Sequence, residues 1–298
     1  MVRLLHFSDV HVQASLTGVP LLELASKKLV GLALLKLWRE RRFRQSDEKL
    51  AAMARLVTEQ SVDMVVCTGD HTALGTEPEL ARAREAMAPF EAAPHGLVTV
   101  PGNHDIYLPG AVADRRFERL FGDLLETDLP ELRADGPWPV VRLVGDSVAV
   151  VAVNSARPNP QLWRSSGVVP EAQLEALEAA LDDPRVRDRF IVVATHYAPR
   201  LASGRPDNFR HGLVNSRRFL SVCGRIGRGA ILHGHVHHCF HVRVPGVRAP
   251  ILGAGSCTDR GREGLWLLEI GPDLATATPG DWHGSAFRLR RNAGVVIG

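Results

Sequence analysis

The chain has 298 residues, of which 45% are hydrophobic and 23% charged, with a formal net charge of +3; this excludes a disordered or fibrous chain. So small an excess of positive charge gives no strong nucleic-acid signal without clustering. The four cysteines, Cys67, Cys223, Cys239 and Cys257, form neither CxxC pairs nor a regular spacing, which argues against a zinc knuckle and a disulfide framework.

The N-terminus lacks the apolar segment and cleavage site of a secretory signal. The longest apolar run, residues 29–35, is far short of the roughly 20 residues that cross a bilayer. A cytoplasmic protein is therefore expected, in a reducing compartment. No Ser/Gly/Pro-rich linker divides the sequence, so residues 1–298 read as one domain.

Residues 4–7 form an apolar run that ends at Ser8-Asp9, the pattern of a buried strand delivering a polar loop. An insertion, 14–45, follows. Within it, residues 21–45 hold seven basic residues against two acidic ones, among many leucines. It reads as a basic and apolar helical lid; a membrane-surface or lipid contact and an oligomer interface are the other readings. Its basic run, 36–44, lies close in sequence to the polar loop and would attract an anionic substrate.

A helix is expected over 47–60, with Leu50, Met53, Ala54, Leu56 and Val57 on one face and Ser46 as N-cap. A β-branched strand, 63–68, stops at Gly69-Asp70. A helix over 78–90 leads to a strand, 97–100, that stops at Pro101-Gly102-Asn103-His104-Asp105. Alternating strands and helices indicate an α/β layered fold, in which sites gather at the carboxyl ends of strands.

Residues 140–144 and 148–153 form a hairpin turning at Gly145-Asp146. A helix over 170–181 has proline in its first turn, and a strand, 190–194, ends at Thr195-His196. Residues 214–223 are helical, and 230–232 is a short strand running into His233-Gly234-His235-Val236-His237. Strands near 241–244, 251–252 and 265–270 complete the pattern, leaving 271–298 as a C-terminal tail.

Asp9-Val10-His11 places two ligand types two residues apart, and in extended chain such residues share a side. Asp70 follows a glycine that permits a sharp turn, so its carboxylate reaches past the sheet edge as a two-oxygen bridge between two cations. Asn103 offers a neutral oxygen, His196 stands alone after its strand, and His235-Val236-His237 repeats the i, i+2 spacing. Two Asp, one Asn and four His form a mixed oxygen and nitrogen set that suits manganese first, or iron, zinc or cobalt, over calcium or magnesium. His233, His238 and His241 are read as supporting rather than ligating, the cysteines as core packing, and Tyr197 as either pocket edge or core. His71, directly after Gly69-Asp70, is read as a local hydrogen-bonding residue first, and otherwise as a donor behind the site or a substrate contact.

The string DVH, GD, GNHD, H, GHVH, spanning residues 9–237, resembles the calcineurin-like metallophosphoesterase family. The resemblance implies an α/β fold of four layers, α-β-β-α, with two mixed sheets flanked by helices. It further implies one metal on Asp9, His11, Asp70 and His237, a second on Asp70, Asn103, His196 and His235, and a hydroxide shared between them as nucleophile. His104, with Asn103, would contact the phosphate and assist the leaving group, and Asp105 would hold His104 in the right tautomer.

The resulting expectation is a phosphodiesterase acting on a small phosphate ester, with a 3′,5′-cyclic nucleotide as first choice by similarity to bacterial members of the family. The alternatives are a pyrophosphatase of a nucleotide-linked lipid such as UDP-2,3-diacylglucosamine, which the apolar insertion would suit, and a broad-specificity phosphomonoesterase or diesterase. A non-catalytic scaffold is disfavoured because no ligand position is lost.

Overall fold

The computed structural model describes residues 1–14, 45–106, 109–159, 161 and 163–298. The expected lid and lipid contact within 14–45 therefore lie almost wholly outside the described residues. In chain order the strands are β1 (Val2–Phe7), β2 (Met64–Cys67), β3 (Leu97–Thr99), β4 (Val140–Val144), β5 (Val148–Ala152), β6 (Phe190–Ala194), β7 (Gly229–His233), β8 (Phe240–Val244), β9 (Val247–Gly253), β10 (Leu265–Ile270), β11 (Ala275–Trp282), β12 (Phe287–Leu289) and β13 (Val295–Val296). One mixed sheet has the order β12-β11-β10-β1-β2-β3, with β13 on β11, and the other β4-β5-β6-β7-β9-β8. Residues 271–298 are thus no tail: β11 pairs along the whole of β10, and β12 and β13 pair with β11.

The period of two along each strand explains the layering. In the second sheet Val148, Val150, Ala152, Val192, Ala194, Ala230 and Leu232 join the first sheet's Leu4, Leu5, Val65 and Val66 in one core. Their strand neighbours Ala149, Val151, Ile191, Val193 and Ile231 face the other way. There they pack with Leu174 and Leu177 of α3 (Glu171–Asp182) and Phe219 and Leu220 of α4 (Ser216–Cys223). Leu50, Met53, Leu56 and Val57 of α1 (Ser46–Glu59) and Leu80 and Ala83 of α2 (Glu77–Met87) belong to the first core. The layers are α-β-β-α.

Two helix starts differ from expectation. Ser46 lies inside α1, which Gln45 precedes without a side-chain cap. The first turn instead carries Asp47 and Glu48, favourably placed on the helix dipole. At α2, Thr76 and Glu79 form a reciprocal capping box, and the helix gives way at Ala88-Pro89 to a 3-10 turn, Ala88–Ala92. The four cysteines are free, three of them buried, as core packing requires. Among the described residues no helix is long and apolar enough to cross a membrane.

Strands β1, β2 and β3 are parallel, as are β5, β6, β7 and β9. Their carboxyl ends therefore share one edge of the sandwich, and the polar loops that follow six of them converge there.

Candidate metal centre

The loops after β1 and β2 run side by side beyond the strands. Asp9 N donates to Gly69 O (2.9 Å), His11 N to Asp70 O (2.9 Å) and Val12 N to His71 O (2.8 Å). Their conformation is not the extended one that the i, i+2 spacing suggests. Seven described non-glycine residues have positive φ, and five of them are Asp9 (57°), His11 (50°), Asp70 (55°), His235 (70°) and His237 (48°). Left-handed backbone at so many ligands stores strain, about 1–3 kcal/mol each, that the surrounding hydrogen bonds must hold. The spacing therefore places each pair through a local kink rather than a common strand face.

Glycine supplies the clearance. Gly69 itself turns at φ 99°, and a side chain on Gly102 would collide with Asp70 Oδ1.

Ligand atoms of Asp9, His11, Asp70 and His237 all lie within 4.8 Å of one another. Asp9 Oδ1 is 3.1 Å from His237 Nε2 and 3.9 Å from His11 Nε2, and the two imidazole Nε2 atoms are 3.2 Å apart. Beside them Asn103 Oδ1 sits 3.2 Å from His196 Nε2 and 2.9 Å from His235 Nδ1, and Asp70 Oδ2 is 3.5 Å from His196 Nε2. Asp70 Oδ1 also accepts the His104 amide (2.8 Å), which ties the carboxylate to the loop after β3.

The outer ring nitrogens decide what the inner ones offer. His196 Nδ1 donates to Thr68 O (2.7 Å), His11 Nδ1 to Thr72 O (3.1 Å) and His235 Nε2 to His211 O (2.9 Å). A ring nitrogen that faces a carbonyl must carry the proton, so His196 Nε2, His235 Nδ1 and His11 Nε2 present lone pairs. Around Asn103 Oδ1, three acceptors converge with no donor between them, an arrangement a cation satisfies. The residues fit a metal pair.

At the first set a proton does part of that work. Burial opposes charge on His237, yet Asp9, with Asp259 bonded to His237 Nδ1 (3.1 Å), raises it to about 10. Burial alone would raise Asp9, but His237, His196 and His11 hold it well below the carboxylate range. Burial pushes Asp70 up to about 7 against His196, with Asp9 and Asp105 adding to the rise. Burial, His196 and His211 push His235 well below the ordinary imidazole value.

Two expected roles change. Asp105 does not orient His104, whose Nδ1 bonds to Ala73 O (2.8 Å). The Asp105 carboxylate instead accepts His71 Nδ1, Thr72 N and Gly102 N, each at 2.9 Å. It fastens the loop after β3 to the loop after β2. His71 is no substrate contact, because it is fully buried. Its ring lies against Phe117 and Phe121 at 5.5 and 4.9 Å, and Nε2 bonds Thr99 Oγ1 (2.8 Å).

Tyr197 is core: it is buried, backs His235 at 4.2 Å and bonds through its hydroxyl to Ser165 O (2.8 Å). His233 is buried with Nδ1 on Gly234 O (2.9 Å), whereas His238 and His241 are exposed.

Sequence reading missed Asp259, which orients His237, and His211, whose ring stacks on His235 at 4.1 Å and whose Nδ1 bonds Asp207 (2.6 Å). Asp259 follows the carboxyl end of β9, a strand recognised from its apolar core, so its position was itself a signal.

A cleft of about 560 Å³ opens over these atoms, lined by Asp70, Asn103, His104, His211, His235 and Arg262 among others. Past Val236, His237 and Arg262 it adjoins a second pocket of about 530 Å³ that includes His238, Glu263, Asp281 and Arg290.

A family model for calcineurin-like phosphoesterases matches residues 2–239. Among solved structures, a dimetal phosphatase from Danio rerio is similar at 15% identity and a TM-score of 0.64, over 99% of this chain and 98% of that one. The purple acid phosphatase PPD1 of yellow lupin (Lupinus luteus) seeds is similar at 11% identity and 0.60, over 97% of this chain and 52% of that one. GAP50, the inner membrane complex anchor of Plasmodium, gives 9% and 0.53, over 100% and 88%. At these identities the likeness is one of fold. A search of curated proteins found no match.

Proposed function

Because the chain belongs to the calcineurin-like phosphoesterase family, we propose that it is a hydrolase of phosphodiester bonds working through two metal ions. The observation that carries this reading is that Asp70 stands between two ligand sets at the floor of one cleft. Asp9, His11, Asp70 and His237 would hold one ion, and Asp70, Asn103, His196 and His235 the other. Manganese is the first ion to test. Bound ions supply Lewis acidity toward phosphoryl oxygens and make a water nucleophilic at neutral pH.

The chain's own groups do the rest. The Asn103 amide and the His104 ring line the cleft and would contact the phosphate from its wall. His104, anchored through Nδ1 to Ala73 O, is the residue assigned, as an imidazolium protonated on both nitrogens, to donate through Nε2 to the leaving oxygen as its charge grows. Asp105 acts at a distance by fixing the loop that carries both.

A diester is favoured over a monoester because the cleft continues into a second pocket, giving space for a substituent on each side of phosphorus. A 3′,5′-cyclic nucleotide is a compact diester of suitable size, whereas a nucleoside diphosphate conjugate, including a nucleotide-linked lipid, would extend into the second pocket.

The test is a screen of cyclic nucleotides, nucleoside diphosphate conjugates and simple mono- and diesters, with metal stripped and with manganese restored. Diesters should exceed monoesters in kcat/KM, and stripping should abolish turnover that manganese restores. Preference for monoesters, or full activity without metal, would refute the reading.

A further inference from the structure

The loop that supplies Asp259 carries a second group toward the cleft. Arg262 closes a turn in which its amide donates to Asp259 O (3.0 Å), with Gly261 at φ 80°. Glu263 fastens that turn, taking the buried Lys49 ammonium at 2.6 Å on one oxygen and the Gly261 amide at 2.7 Å on the other. Lys49, on α1, also donates to Thr258 O (2.9 Å). The backbone of Arg262 is thereby fixed, while its side chain is exposed and lines both the cleft and the second pocket.

The acids near it are already committed. Glu263 is paired with Lys49, Asp281 with Arg290 (2.6 Å) and Asp207 with His211 (2.6 Å). Among the described residues the Arg262 guanidinium has no hydrogen bond or ion pair of its own. A planar guanidinium fork, mounted on a braced turn between two adjoining pockets and unanswered by any described residue, is suited to a phosphoryl group.

We propose that Arg262 anchors a second phosphoryl group on the substrate, next to the one attacked, so that the preferred substrate is a diphosphate-bridged conjugate rather than a single-phosphate diester. This rests on the phosphodiester reading above and deepens it. In the reaction, water oxygen bonds to the attacked phosphorus and the P–O–P linkage breaks. The bridging oxygen leaves with the second phosphate, held by Arg262, and the water's protons pass to the products, which are two monophosphates.

The experiment compares wild type with Arg262→Gln and Arg262→Lys on ADP-ribose and on bis(p-nitrophenyl) phosphate, manganese present. A parallel calorimetric titration uses non-cleavable α,β-methylene-ADP and AMP. Loss of a charge-assisted hydrogen bond predicts that Arg262→Gln raises KM for ADP-ribose about 10- to 100-fold with kcat nearly unchanged, and leaves bis(p-nitrophenyl) phosphate kcat/KM within about 3-fold. Wild type should bind the methylene-ADP more tightly than AMP, Arg262→Gln should remove that difference, and Arg262→Lys should restore part of it.

An unchanged ADP-ribose KM, or equal losses on both substrates, overturns the assignment, as does a methylene-ADP preference that survives Arg262→Gln. Failure of wild type to cleave any diester would instead sink the hydrolase reading, while the binding titration still tests Arg262.

Discussion

In the first ligand set, Asp9, His11 and His237 around Asp70, a carboxylate braces His237 and a backbone carbonyl braces His11, whereas both imidazoles of the second set, His196 and His235, are braced by backbone carbonyls. Asp259 stands behind His237, and with Asp9 it raises that imidazole to about 10. Behind His196 and His235 stand Thr68 O and His211 O, and His235 is held neutral by burial and neighbouring imidazoles. The first set thus holds a proton on His237 that a metal must displace, while the second presents His235 as a neutral lone pair. The difference implies a tightly held first ion that competes with a proton, and a second that binds without such competition.

The largest effect should come from Asp70, the residue both sets share. Asp70→Ala should lower kcat by on the order of 10⁴-fold, since residues acting as a unit fail together. Turnover close to wild type would mean that the two sets work independently. Next comes His104, which lies outside both sets. His104→Ala should cost about 10²- to 10⁴-fold in kcat, most on poor leaving groups, with metal content unchanged. Equal losses on good and poor leaving groups would remove its role as acid.

A smaller effect separates the sets directly. Asp259→Asn should weaken the first ion about 10- to 100-fold, as losing an outer partner of a ligating histidine does, and leave the second alone. Calorimetry that found both ions weakened alike would erase the distinction drawn here. The smallest effect is one of pH. Above about 7 Asp70 is ionised, and up to about 10 His237 still carries a proton that the first ion must displace. Affinity at the first set should therefore rise by about tenfold per pH unit across that window, whereas the second set should show no such slope. Titrations from pH 7.0 to 9.0 would decide, and a flat first-set affinity would contradict the charge assigned to His237.

Much of the site was legible in the sequence because each ligand follows a strand readable from its apolar run, as Asp9 follows Phe7 and His196 follows Ala194. Ligand types at those ends gave the seven side chains that the structure brings together. The local backbone was not legible: spacing of two suggests a shared strand face, but tertiary hydrogen bonds such as His11 N to Asp70 O hold these residues at positive φ.

Roles that depend on contacts distant in sequence were also hidden. Asp105 sits next to His104 yet bonds to His71, which is buried against two phenylalanines that nothing near it announces. Strand β11, Ala-Thr-Ala-Thr-Pro-Gly-Asp-Trp, was missed because Pro279 and Gly280 argue against a central strand. Its pairing with β10 is won by position in the sheet rather than by propensity.

The central claim is a pair of ions sharing Asp70, and elemental analysis of the manganese-loaded protein tests it most directly. Wild type should hold two ions per chain after gel filtration, and Asp70→Ala should hold neither tightly. One ion per chain in wild type, or a full pair retained by Asp70→Ala, would contradict the account.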